Sequence, residues 1–101
     1  MEPKIKDKPA SKTTEKYKEP EQFRVILLND HYTTMDFVVE VLVVIFHKGI
    51  EDANVIMLDV HKKGRGIVGV YTWDIAVTKM EQVHAAAQTN GFPLMCIVEP
   101  A

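Results

Sequence analysis

Phe23-Arg24-Val25-Ile26-Leu27-Leu28-Asn29-Asp30-His31-Tyr32-Thr33-Thr34-Met35-Asp36 is the stretch whose change of pattern decides the fold. Phe23 to Leu28 is an apolar run rich in β-formers and predicts a strand. Asn29-Asp30-His31-Tyr32 then reads as a polar turn, because short polar side chains satisfy the backbone locally there. Thr33 opens Thr33-Thr34-Met35-Asp36, a capping-box-like start with an acid in the first turn. A helix is therefore expected from Met35 to about His47, stopped by Gly49. Val38, Val39, Val41, Val43, Val44 and Ile45 make a strand its competitor, since β-branched side chains are stiff in a helix. The cap, the length and the glycine stop decide for helix.

Downstream, Glu51 and Asp52 open a second helix that runs to about Lys62. Lys62-Lys63-Gly64 close it, so acids and bases match the helix dipole at both ends. Gly66 to Tyr71 reads as a strand. Thr72 can cap a third helix from Trp73 to about Thr89, in which Trp73, Ala76, Val77, Met80, Val83 and Ala87 keep helical spacing. Asn90-Gly91 stops it, and a last strand runs from Leu94 to Val98. The order β-α-α-β-α-β describes an α+β domain, a small sheet covered by helices, over residues 23–101. Residues 1–22 are rich in Lys, Glu, Pro and Thr with almost no large apolar side chain. Such a segment cannot bury enough surface to offset its ordering entropy, so a disordered tail is expected.

Composition narrows the function. The chain has 101 residues, 47% of them apolar, which suits one small domain with a modest core. Twelve basic residues against fourteen acidic leave a net charge of −2, without the basic stripe of a nucleic-acid binder. The single cysteine, Cys96, lies in the apolar run Leu94-Met95-Cys96-Ile97-Val98 and reads as a buried strand thiol. The N-terminus lacks the apolar run of a secretory leader, and Val41 to Phe46 is too short to span a membrane, so a cytoplasmic protein is expected. No nucleophile triad, dinucleotide fingerprint or phosphate loop is present, and no enzyme is expected. His31, His47, His61 and His84 lack metal-ligand spacing. A zinc site from Asp30, His31 and His61 is a weak alternative, and neither a metal nor another cofactor is expected.

One convergence stands out. Asn29 and Asp30 end the first strand. Met35 and Val38 share a face of the first helix, and Met57, Val60 and His61 share a face of the second. If these helices pack as a hairpin, an apolar pocket forms with Asn29, Asp30 and His61 at its mouth. Each part also has a plainer reading. Met and Val at helical spacing make ordinary core, a last-turn histidine is ordinarily solvated, and Asn-Asp after a strand is ordinary turn chemistry.

The stretch Val25 to Val38 resembles the opening motif of ClpS adaptors, VILxNDxYTxMxFV. Met57-Leu58-Asp59-Val60-His61 resembles their MLxVH block, and Gly64 to Thr72 resembles GxxxxGVxT. Ala76-Val77-Thr78-Lys79 and Phe92-Pro93-Leu94 complete five blocks in order from about Phe23 to the end. The resemblance implies the fold of the ribosomal stalk protein's C-terminal domain, with a three-stranded antiparallel sheet. It implies a monomeric adaptor that binds substrates beginning with Leu, Phe, Tyr or Trp and delivers them to a Clp AAA+ unfoldase. The partner surface would be the N-terminal domain of an unfoldase of the ClpA or ClpC kind. Residue by residue, it implies that Asn29, Asp30, His31 and His61 hold the substrate α-amino group. Met35, Val38, Met57, Val60 and Leu94 would line the side-chain pocket, and Asp74 and Lys79 would dock the unfoldase. Many members carry a second acid after Asn-Asp; here that position is His31. The alternative is a stalk-like interaction domain without a ligand pocket.

Overall fold

The fold is that of a computed structural model, which describes residues 20–101. The tail expected over residues 1–22 falls almost wholly outside the described residues. Strand β1, Gln22–Leu28, is followed by helices α1, Met35–Val44, and α2, Ile50–Lys63. Strand β2, Arg65–Thr72, leads into helix α3, Trp73–Asn90, and the chain closes with β3, Met95–Pro100. The expected order β-α-α-β-α-β is the observed one.

The sheet order is β2-β1-β3, antiparallel throughout, so the strand that opens the motif is also the central one. A bulge between Val25 and Ile26 shifts the β1–β2 register. On either side of it, alternate residues serve alternate faces. Val25 and Leu27 face the helices with Val68 of β2 and Cys96 of β3, and these join one core with Phe37, Val41 and Leu42 of α1, Ala53 and Val60 of α2, and Ala76, Val83 and Ala87 of α3. Cys96 is buried as expected, and burial pushes its thiol pKa up to about 12, far from a reactive thiolate. The start of β3 is tied to α3 by His84, whose Nε2 accepts from the Cys96 N–H at 3.0 Å. None of the described helices is long and apolar enough to cross a membrane.

Three local expectations are corrected. The cap of α1 is Thr34, not Thr33: its hydroxyl accepts from the Phe37 N–H at 3.1 Å. Helix α1 also stops at Val44, earlier than expected. His47 takes the left-handed conformation (φ 58°) and Lys48 N–H returns to the Leu42 carbonyl at 3.0 Å, so a histidine occupies the position usually given to glycine. Gly49 stops nothing; it is the first cap of α2. Thr72 does stand at the N-cap of α3, but its side chain makes no capping bond.

Candidate functional site

The turn after β1 is organised around one carboxylate. Asp30 Oδ1 accepts from the backbone N–H groups of Tyr32 at 2.8 Å and Thr33 at 2.7 Å, and Oδ2 accepts from the Thr33 hydroxyl at 2.7 Å. Partial burial pushes the Asp30 pKa up. The bonds from Thr33 and Tyr32 and the neighbouring His31 outweigh that and hold it below its ordinary value of 3.8. Asp30 therefore fixes the loop as an anion. The loop hands over to α1 at once, through the Thr34 cap, so Met35 and Val38 emerge at a set angle from β1.

The other wall comes from the end of α2. Its last turn closes on Gly64, which is left-handed (φ 89°) and donates to the Val60 carbonyl. The Gly64 carbonyl accepts from the Asn29 N–H at 3.0 Å. That single backbone bond joins the end of β1 to the end of α2 and brings Asn29 to the turn that bears His61. β2 then approaches α2 closely. A Cβ on Gly66 would lie 2.7 Å from Val60 Cγ2 and 3.1 Å from the Ile56 carbonyl oxygen, so the residue behind Val60 has to be glycine.

Between these walls lies a cleft of about 410 Å³, within the size range of small-ligand sites. Asn29, Asp30, His31 and His61 all line it, together with Met35, Val38, Met57 and Val60. The hairpin convergence expected from helical spacing is thus present. Val38 and Val60 are almost fully buried and form the apolar floor, whereas Met35, 44% exposed, stands at the rim. Leu94 is placed differently. It is 3% exposed, packs in the core and is not among the residues that line the cleft. Sequence reasoning overlooked Tyr32, Thr33 and Thr34 as lining residues, although the turn chemistry around Asp30 was its signal. It also overlooked Gly66, for which a sequence offers no signal of what stands opposite.

Among the described residues, no three His, Cys, Asp or Glu side chains are grouped to hold a metal ion, so the Asp30, His31 and His61 alternative does not assemble. Asp74 and Lys79 lie on α3 and do not line the cleft. Asp74 is exposed in the first turn of α3. Lys79 is half-buried, and its Nζ donates to the Ile45 carbonyl at 2.7 Å.

Comparison with known proteins agrees with this architecture. The family model described as ATP-dependent Clp protease adaptor protein ClpS matches residues 18–97. A ClpS adapter protein from Syntrophus aciditrophicus is 59% identical over 85 residues, covering 84% of this chain and 79% of the relative. One from Acetivibrio thermocellus is 57% identical over 84 residues, covering 83% and 85%. A solved structure of Agrobacterium tumefaciens ClpS2 bound to L-phenylalaninamide superposes with a TM-score of 0.79 at 36% identity, over 82% of this chain and 100% of that one.

Proposed function

Since the chain belongs to the ClpS family of Clp protease adaptors, we propose that its cleft captures the first residue of substrate proteins with a bulky hydrophobic N-terminus and that the bound substrate is passed to a Clp AAA+ unfoldase. The observation that carries this reading is one cleft with polar groups at its mouth and an apolar floor. A free N-terminal ammonium brings three donors and a charge to one place. Asn29 Oδ1 and the ring nitrogens of neutral His31 and His61 are acceptors for it, and the Asp30 carboxylate supplies the opposite charge. A Leu, Phe, Tyr or Trp side chain then enters over Met35, Met57, Val38 and Val60. Burying such a side chain contributes about 1.5–3 kcal/mol.

The two demands act together. An internal or acetylated residue brings no ammonium and leaves the acceptors unpaired, at about 1–3 kcal/mol for each buried group. A small first residue leaves the floor unfilled. L-Phenylalaninamide, the ligand of the Agrobacterium relative, has both a free α-amine and a benzyl side chain. On this reading the protein binds and performs no chemistry, and it works as a monomer in the cytoplasm. Asp74 and Lys79 on α3 belong to the face that meets the N-terminal domain of the unfoldase, of the ClpA or ClpC kind. That face is separate from the cleft, so both partners can be held at once.

Calorimetric titration with two peptides that differ only in N-terminal acetylation, each beginning with Phe, tests the reading. The free peptide is expected to bind at least tenfold more tightly. Equal binding of both, or of neither, refutes it.

A further inference from the structure

The acceptors at the mouth of the cleft are unequally available. Among the described residues, Asp30 is the only acidic or basic side chain other than histidine that lines it, and three hydrogen bonds within the loop already engage both of its oxygens. The Thr34 hydroxyl accepts from Phe37. Asn29 Oδ1 and the imidazoles of His31 and His61 are further direct acceptors for an incoming ammonium, and they line the same cleft from the loop and from α2. An imidazole has one acceptor nitrogen when neutral and none when protonated. Protonation therefore removes an acceptor and adds a positive charge beside a positively charged ligand.

We infer that ammonium capture at this mouth competes with protons at both His31 and His61, so that binding releases up to two protons. The inference rests on the reading of the cleft as an amine site.

The other charged groups nearby do not supply this dependence. Asp36 in the first turn of α1 and Lys62 in the last turn of α2 are exposed and do not line the cleft. Asp59 pairs with Lys63 at 3.4 Å. Arg65, the first residue of β2, turns to Glu99 at 2.7 Å. Asp30, held below its ordinary value of 3.8, stays an anion throughout the imidazole range. The ligand's own amine acts in the opposite direction, gaining its proton as pH falls through about 8, so the linkage is read below about pH 7. There the ligand is mostly charged already, and further acid acts on the protein.

Titration of the full chain with L-phenylalaninamide between pH 7 and 5.5, at constant ionic strength, measures the linkage. Each proton displaced by the ligand adds up to one decade of Kd per pH unit. The expected slope of log Kd exceeds one in the wild-type protein at the acid end and tends towards two. In His31→Gln, which keeps an acceptor oxygen but does not titrate, it is expected to reach no more than one. His31→Asp is expected to behave likewise, with tighter binding at pH 6 than the wild type. Equal slopes in all three proteins, with binding intact, overturn the inference and leave the amine site standing. Absence of phenylalaninamide binding at every pH overturns both.

Discussion

The two ends of helix α1 are held in opposite ways. At the N-terminal end, the side-chain bonds that fix the chain come from within a few residues: Asp30 binds Tyr32 and Thr33, and Thr34 binds Phe37. At the C-terminal end the stop is local, through left-handed His47, but the Ile45 carbonyl is met by Lys79 from α3, 34 residues away. The N-terminal end faces the cleft. The C-terminal end borders a shallow groove that includes Val44, Ile45 and Lys79. A short-range network fixes loop geometry without depending on the rest of the core, which suits a binding mouth. A long-range bond couples helix to helix, which suits a scaffold.

Breaking the local network is expected to have the largest effect. Asp30→Ala removes all three loop bonds and the charge at the mouth. It should raise the Kd for L-phenylalaninamide more than tenfold and lower stability by about 1–2 kcal/mol. Titration and urea unfolding of the same sample read both.

A substitution behind the cleft comes next. Gly66→Ala places a methyl group against Val60 Cγ2 and the Ile56 carbonyl. Overpacking of this kind costs about 1–3 kcal/mol. The displaced Val60 should weaken binding several-fold, although residue 66 does not line the cleft. An unfolding midpoint and a Kd both unchanged would show that β2 can withdraw from α2.

The opposite end of α1 should separate stability from binding. Lys79→Met keeps the apolar stem and deletes the bond to Ile45, costing about 1 kcal/mol of stability without changing the Kd for the free amine ligand. A changed Kd would mean that the two ends of α1 are coupled through the helix.

The smallest effect on stability should come from acid, through Asp30 at the cleft. The folded Asp30 pKa lies below the unfolded one, so its contribution is complete above the unfolded value near 3.8 and is lost as pH falls through the lower folded value. Asp30→Asn, which does not titrate, should therefore lose less stability than the wild type below about pH 4. Parallel unfolding curves for the two proteins against pH would contradict this.

The same contrast explains what could be read in the sequence. The apolar, β-rich run of β1, the helical spacing of Met35 with Val38 and of Met57 with Val60 and His61, and the acid and base ends of α2 are local signals, and each gave the right element or the right face. Leu94 packs in the core, and a residue beside a motif can turn either way, which only packing decides. The stop of α1 failed because His47 adopts a backbone conformation for which Gly49 looked better suited. Lys79 and Gly66 depend on what faces them across the fold. Lys79 was noticed through resemblance alone, and its bond to Ile45 has no signature in its own neighbourhood. The cleft was legible because both of its walls are built from short motifs. The joint between those walls, the Asn29 to Gly64 backbone bond, was not.

A crystal structure of this chain with L-phenylalaninamide tests the central claim most directly. The account predicts the amine nitrogen within about 2.7–3.2 Å of Asn29 Oδ1 and of a ring nitrogen of His61, with the phenyl ring over Val38 and Val60 and between Met35 and Met57. A ligand seated elsewhere, or one in the cleft with its amine turned away from Asn29 and His61, would contradict it.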